Sequence, residues 1–225
     1  MEPEIAKAPI IVVLISGSGS NLQAIIDQVA SEEIPAVIGA VISNRPEAKG
    51  LERAKKAGIP TATVDHKNFE QRELFDANLI RTIDEYQPDL IVLAGFMRIL
   101  TPDFVRRYEG KLLNIHPSLL PKYPGLHTHQ RAIDAGDLEH GVTTHFVTTD
   151  LDSGPNIIQA TVPVLPQDTA ESLATRVQHQ EHVIYPITVK WFVQGRITMS
   201  GDTAQLDGVD LPQSGLPLES PNTLH

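Results

Sequence analysis

The chain is predicted to be an α/β protein: a Rossmann-like open, mostly parallel sheet with helices on both faces, in a single domain. Three observations carry this. Residues 10–16, IIVVLIS, form a continuous β-branched run of the kind that is buried on both sides, and it breaks at GSGSN (17–21). A helical pattern follows, with Leu22, Ile25, Ile26 and Val29 on one face. A further buried-strand run, LIVLAG (90–95), comes after a second long helical pattern. Strands that alternate with helices imply parallel pairing through right-handed crossovers.

The other elements follow in order. AVIGAVIS (36–43) is a second strand, and the Ala- and Lys-rich segment 47–57 is a helix that closes on Gly58, where a C-cap is expected. TATV (61–64) is a short strand, and 70–86 is a helix carrying Leu74, Leu79, Ile80 and Ile83 that stops before Pro88. KLLNIHPSLLPKYPG (111–125) holds another strand; a Pro- and Gly-rich loop (117–127) then leads to a short helix near 128–135. VTTHFVTT (142–149) and NIIQATVPV (156–164) are strands joined by DLDSGP. A helix spans 170–194, and Pro186 is expected to kink or split it. Residues 196–199 and 204–206 pair as a terminal hairpin. From 207 the chain is rich in Gly, Pro, Ser and Asn and short of core residues, so 207–225 is expected to be a flexible C-terminal tail, as 1–9 is a flexible N-terminal extension and 10–206 the folded domain.

Composition narrows the function. With 225 residues, 41% hydrophobic and 20% charged, the chain can bury one substantial core. A formal net charge of -10 argues against a general nucleic-acid or membrane surface, although a small anionic substrate needs only a local positive pocket. No cysteine is present, which excludes disulfides, thiolate nucleophiles and cysteine-based zinc sites. The N-terminus MEPEIAKAPI lacks a basic n-region and a cleavage site, and no apolar run approaches the roughly 20 residues needed to span a bilayer. A soluble cytoplasmic protein is expected.

Several residue groups can carry chemistry. Asn114 and His116 lie two apart at the end of a strand, so they share a face while Leu113 and Ile115 point to the other. Pro117 ends the strand there, at the carboxyl edge where open α/β sheets hold their ligands; a capped strand end with a satisfied core histidine is the plainer alternative. GSGSN reads as a phosphate cradle at a helix N-terminus or as a tight structural turn, with Ser20 a possible cap. It fits neither the Walker pattern nor GxGxxG, whose third glycine falls at Leu22. In AGFMRILTP (94–102), the main chain of Met97 to Leu100 borders the same crevice or forms an ordinary loop plugged by Ile99 and Leu100, with Arg98 solvated. Asp152 lies among standard turn formers; if that loop folds over His116, its carboxylate favours the imidazolium. Gln178 and Glu181 share a helix face and meet a ligand or water. His127 and His129, or His179 and His182, lack the further ligands and spacing of a catalytic metal site, so no metal is expected.

Together SGSGSNLQAII, ISNRPEAKGLERA, LAGFMRIL, LLNIHPSLLPKYPGLHTH, HFVTTDLDSGP and QEHVIYP closely resemble the phosphoribosylglycinamide formyltransferases, the glycinamide ribonucleotide transformylases of purine biosynthesis, within the folate-dependent formyltransferases. The resemblance covers about residues 10 to 210, and NIHPSLLP is shared by the wider folate-dependent group. It implies that 10-formyltetrahydrofolate, a co-substrate, donates a formyl group to the amine of glycinamide ribonucleotide, without a metal. By motif, Gly19, Ser20 and Asn21 would hold the substrate phosphate, and Glu181 with Gln178 the rest of the ribonucleotide. Arg72, Met97, Arg98, Ile99 and Leu100 would border the folate. Asn114 would stabilise the tetrahedral oxyanion beside the folate, His116 would donate the proton, and Asp152 would keep His116 charged. Both partners are then small molecules, with no nucleic acid or membrane, and the protein is a monomer or homodimer. The remaining alternatives are a formyltetrahydrofolate hydrolase, an initiator methionyl-tRNA formyltransferase and a catalytically silent folate or phosphate binder. The tRNA enzyme normally carries a C-terminal RNA-binding domain and the hydrolase an N-terminal regulatory domain, and neither is expected here.

Overall fold

The computed structural model describes residues 7–218. Its strands are β1 (Ile10–Ile15), β2 (Val37–Ser43), β3 (Thr61–Thr63), β4 (Leu90–Leu93), β5 (Leu112–His116), β6 (Glu139–Phe146), β7 (Asn156–Pro163), β8 (Ile197–Ser200), β9 (Thr203–Leu206), β10 (Val209–Asp210) and β11 (Leu216–Pro217). The helices are α1 (Ser20–Ala30), α2 (Lys49–Lys56), α3 (Arg72–Asp84), α4 (Pro102–Arg107), α5 (Thr128–Asp134) and α6 (Ala170–Val193). Eight strands form one sheet in the order β11-β7-β6-β5-β4-β1-β2-β3, and β8 to β10 form a separate three-stranded sheet. Among the described residues, no helix is long and apolar enough to cross a membrane.

The expected α/β sheet is present. β1 pairs in parallel with both β2 and β4, and β2–β3 and β4–β5 are also parallel. The far half differs: β5–β6 and β6–β7 are antiparallel, so the sheet is mixed. The chain winds outward from β1 to β3 and restarts at β4 on the other side of β1. This reversal opens a crevice beyond the carboxyl ends of β1 and β4. Alternation along each strand divides the core in two. Ile11, Val13 and Ile15 pack with α1, α2 and α6, while Val12 and Leu14 pack with Phe75, Leu79 and Ile83 of α3 and Phe104 of α4.

Several boundaries and positions depart from expectation. Leu74 is 52% exposed, and its neighbours Phe75 and Asp76 are buried instead, together with the expected Leu79 and Ile83. The strand expected over 142–149 starts three residues earlier, at Glu139, and ends at Phe146. α6 runs unbroken through Pro186, which is buried within it, so that proline does not split the helix. The C-terminal tail expected from residue 207 instead supplies β10, and β11 then pairs in parallel with β7 at the sheet edge. Leu216 and Leu218 pack against the core, so the folded unit extends past residue 206. At the other end, the Pro9 carbonyl already accepts from Val37 N–H at 2.9 Å. Residues 1–6 and 219–225 of the two expected flexible ends lie outside the described residues.

One buried side chain ties the long helix to the centre of the sheet. The Tyr185 hydroxyl on α6 donates to the Leu93 carbonyl at 2.8 Å and lies 3.1 Å from that of Leu113. Burial pushes its phenol well above the ordinary value, so it remains a neutral donor. Tyr185→Phe removes this donor and leaves strand carbonyls dry. We expect it to lower the unfolding free energy by about 1–3 kcal/mol, read from urea denaturation. An unchanged midpoint would show that the hydroxyl contributes nothing.

Candidate active site

Asn114 and His116 close β5, and the alternation that sends Leu113 and Ile115 into the α6 side turns the polar pair to the opposite face. The β6–β7 turn folds onto that face. Its sharpness requires two unusual residues: Asp152 adopts φ 49°, and Gly154 lies against the end of β6, where a Cβ would stand 1.9 Å from the Phe146 carbonyl oxygen. Asp152 Oδ2 is thereby 3.4 Å from His116 Nδ1 and accepts from Gly125 N–H at 2.8 Å. Asp152 is therefore both a turn residue and a partner of His116. His116 Nε2 meets the Tyr123 carbonyl at 2.8 Å, so both ring nitrogens face oxygen acceptors, a setting that only the doubly protonated ring satisfies in full.

A fourth group, His145, was not singled out from the sequence. It lies directly across from Asn114 in the antiparallel β5–β6 pairing. Its Nδ1 bonds the Phe146 carbonyl at 2.8 Å, which makes Nδ1 the protonated nitrogen, and its Nε2 faces Asn114 Nδ2 at 3.2 Å. Burial holds the imidazole well below its ordinary pKa, so it stays neutral and accepts from the Asn114 amide. The amide orientation is fixed in this way, with one Nδ2 hydrogen engaged and the second uncommitted.

The α1 N-terminus forms a second cluster. Gly19, not Ser20, is the N-cap, with φ 70° and no side-chain cap. The reason is close packing: a Cβ on Gly19 would stand 2.6 Å from Gly50 Cα at the start of α2. With no capping side chain and no acidic residue in its first turn, the helix presents free N–H groups and its positive dipole end, a setting for an anion. Ser20 Oγ accepts from Gln178 Nε2 at 3.1 Å, and Asn21 Nδ2 donates to Glu181 Oε2 at 2.7 Å. The expected cradle and helix-face residues thus converge. Arg53, absent from the sequence reading, donates from Nε to the Ser18 carbonyl at 2.8 Å and brings a cation to the cradle.

Met97 to Leu100 lie where expected, at the carboxyl end of β4, and Ser16 at the end of β1 accepts from Met97 N–H at 2.7 Å. Met97 and Ile99 are 61% and 58% exposed, so Ile99 is no core plug; Leu100 is partly buried against the α3 side. The Arg98 guanidinium stacks 4.6 Å over Phe75 rather than being freely solvated. Arg72 is not brought to these groups by any contact: it opens α3, exposed and without an ion pair among the described residues. The HxH histidines part, His127 capping α5 and His129 bonding His140 at 3.1 Å, and burial drives His140 down to about 4.

Glu181 is the group kept at a cost. Burial raises its carboxyl pKa, only partly offset by the Asn21 hydrogen bond. A raised folded pKa means that the fold penalises the ionised form, a penalty absent at low pH that grows as pH rises from the unfolded toward the folded value. Glu181→Gln keeps an acceptor for Asn21 and removes the charge. Its Tm should exceed that of the wild type at neutral pH, and the gain should vanish below about pH 4, where a free glutamic acid is itself protonated. A variant equally or less stable at neutral pH would contradict this.

Comparison with known proteins places the chain in a family. The sequence pattern of the formyl transferase family matches residues 10–189. The chain is 57% identical over 205 residues to phosphoribosylglycinamide formyltransferase of Escherichia coli (strain K12), covering 91% of this chain and 97% of that one. The solved phosphoribosylglycinamide formyltransferase of Coxiella burnetii superposes with a TM-score of 0.90 at 52% identity, covering 95% of this chain and all of that one. A formyltetrahydrofolate deformylase from Pseudomonas syringae shares the fold more distantly, with a TM-score of 0.82 at 28% identity over 89% of this chain and 66% of its own. The chain belongs to the formyl transferase family.

Proposed function

We propose that this chain transfers the formyl group of 10-formyltetrahydrofolate to the amine of phosphoribosylglycinamide, giving the N-formyl product and tetrahydrofolate. The observation that carries the reading is the convergence of Asn114, His116, His145 and Asp152 beside a crevice flanked by an uncapped helix N-terminus. An amide donor and an imidazolium together suit a reaction in which a carbonyl oxygen becomes an oxyanion.

In this reaction the amine lone pair attacks the formyl carbon and the carbonyl pair moves to oxygen. The bond to folate N10 then breaks, N10 gaining a proton and the former amine losing one. Asn114 donates its uncommitted Nδ2 hydrogen to the oxyanion, and His145 positions that amide. His116 supplies the proton to N10 and, once neutral, takes up the one the amine loses, with Asp152 holding the imidazolium in place. Because Nδ1 faces Asp152, Nε2 is the nitrogen that serves the substrate, which displaces the Tyr123 carbonyl to reach it. The backbone of Gly19, Ser20 and Asn21 receives the phosphate, with Arg53 adding charge. Gln178 and Glu181 border the ribose and glycinamide portion, and Met97 to Leu100 line the folate. Arg72, exposed on α3, is assigned to the folate by the motif resemblance alone. Aligning two bound substrates lowers the barrier without a covalent intermediate.

The test is folate product formation followed by absorbance, with and without the ribonucleotide. Turnover should require the ribonucleotide, and Asn114→Ala should lower kcat by about 10²–10³ by analogy with other oxyanion donors. His116→Ala should abolish most turnover while folate binding persists. Turnover without the ribonucleotide would identify a hydrolase, and folate binding without turnover would identify a silent binder.

A further inference from the structure

The segment from Ala94 to Thr101 joins β4 to α4 with neither helical nor strand pairing, yet Met97 and Ile99 stand 61% and 58% exposed on it. Such a stretch needs its shape imposed from elsewhere. Two buried side chains impose it. Ser16 Oγ accepts from Met97 N–H at 2.7 Å and in turn donates to Asn44 Oδ1 at 2.5 Å. At the other end Asp76 Oδ2 accepts from Thr101 N–H at 2.6 Å, while the Thr101 hydroxyl caps α4 through Phe104 N–H at 3.3 Å. Ser16, Asn44 and Asp76 are 3%, 1% and 2% exposed, so the anchoring side chains themselves are shielded from water. They reach across 81 and 25 residues of sequence, which separates them from the local bonds of a turn. Between the two anchors, Arg98 rests on Phe75, the neighbour of Asp76 on α3. Asp76 Oδ1 is buried with no partner, an expense that a helix cap alone does not require.

We propose that Ser16 and Asp76 are positioning residues that hold Met97 to Leu100 in the shape that receives the folate. The inference rests on the reading that this segment borders the co-substrate. Neither side chain touches the reacting atoms. Each acts by pinning one backbone N–H, so that Met97, Arg98 and Ile99 meet the folate without first being ordered. Ser16 also immediately precedes the glycine cradle, which makes the β1 end the shared support of both substrate sites.

The test measures kcat, the KM of each substrate and Tm for Ser16→Ala, Asp76→Ala, Asp76→Asn and Ile99→Ala. Ser16→Ala and Asp76→Ala should each raise the folate KM by about tenfold, the effect of one buried acceptor lost, with a smaller change in the ribonucleotide KM. Asp76→Asn retains an acceptor for Thr101 and should recover most of the loss, which a role in charge alone would not allow. Ile99→Ala tests the underlying reading, because it should raise the folate KM while both anchors stay intact. If Ile99→Ala raises that KM but Ser16→Ala and Asp76→Ala only lower Tm, the positioning role is overturned and the folate reading stands. If Ile99→Ala leaves the folate KM unchanged, both fall. Should Asp76→Ala fail to fold, Ser16→Ala decides the outcome alone.

Discussion

The Asp152 carboxylate, only 8% exposed, is the constraint on which the site depends. A carboxylate taken out of water must find donors, and the structure brings them from two separate segments. β5 offers His116 at 3.4 Å and the 117–127 loop offers the Gly125 amide at 2.8 Å, while neutral His145 of β6 turns its unprotonated Nε2 toward the carboxylate at 3.9 Å and donates nothing to it. The side chain reaches them because its own backbone takes φ 49° and Gly154 gives the turn room against Phe146. The β6–β7 turn, the loop after β5 and the end of β5 therefore meet in one place, and shifting any of them leaves the carboxylate short of a partner.

Legibility in the sequence followed the range of the interaction. The strand, glycine turn and helix at 10–30 are local patterns, and so is the two-residue spacing that puts Asn114 and His116 on one face. Asn21 with Glu181 and Ser20 with Gln178 were reachable through motif resemblance. His145 opens the motif HFVTTDLDSGP but was given no role there, because its place opposite Asn114 follows from the antiparallel β5–β6 register, which is long-range. The sequence offered Ser20 as a possible cap of α1, yet the approach of Gly50 to Gly19 fixes the cap one residue earlier, and that approach is a tertiary fact. Leu74 and Phe75 show how small an error suffices: one step along a helix turns the side chain by about 100°, and it is Phe75 that meets the core. β11 was invisible for a different reason. Two residues, Leu216 and Pro217, carry no strand pattern of their own and are ordered by the free edge of β7.

An amide and an imidazolium facing a carbonyl can assist attack by water as readily as attack by an amine, so the donor set alone does not select the acceptor of the formyl group. Selection lies in what is held beside it. The α1 terminus, Gln178 and the buried Glu181 form a polar site whose ionised carboxylate is disfavoured by desolvation. On the proposed reading that cost is recovered when a hydroxyl or amine of the ribonucleotide donates to it. A hydrolase has no corresponding need for a cradle at that edge of the sheet.

Charge placement follows the same logic. The chain carries a formal net charge of -10, although both proposed substrates are anionic. Attraction therefore has to be local and aimed. The α1 dipole contributes no mobile side chain, the Arg53 guanidinium is fixed by the Ser18 carbonyl, and Arg98 is laid over Phe75. Each positive group is tethered before any ligand arrives, which lowers the ordering cost of binding and concentrates the field in the crevice. An acidic exterior then repels polyanions from the rest of the surface. The same positive groups in a basic protein would leave small phosphates competing with nucleic acid, and the acidic balance removes that competition without touching the site.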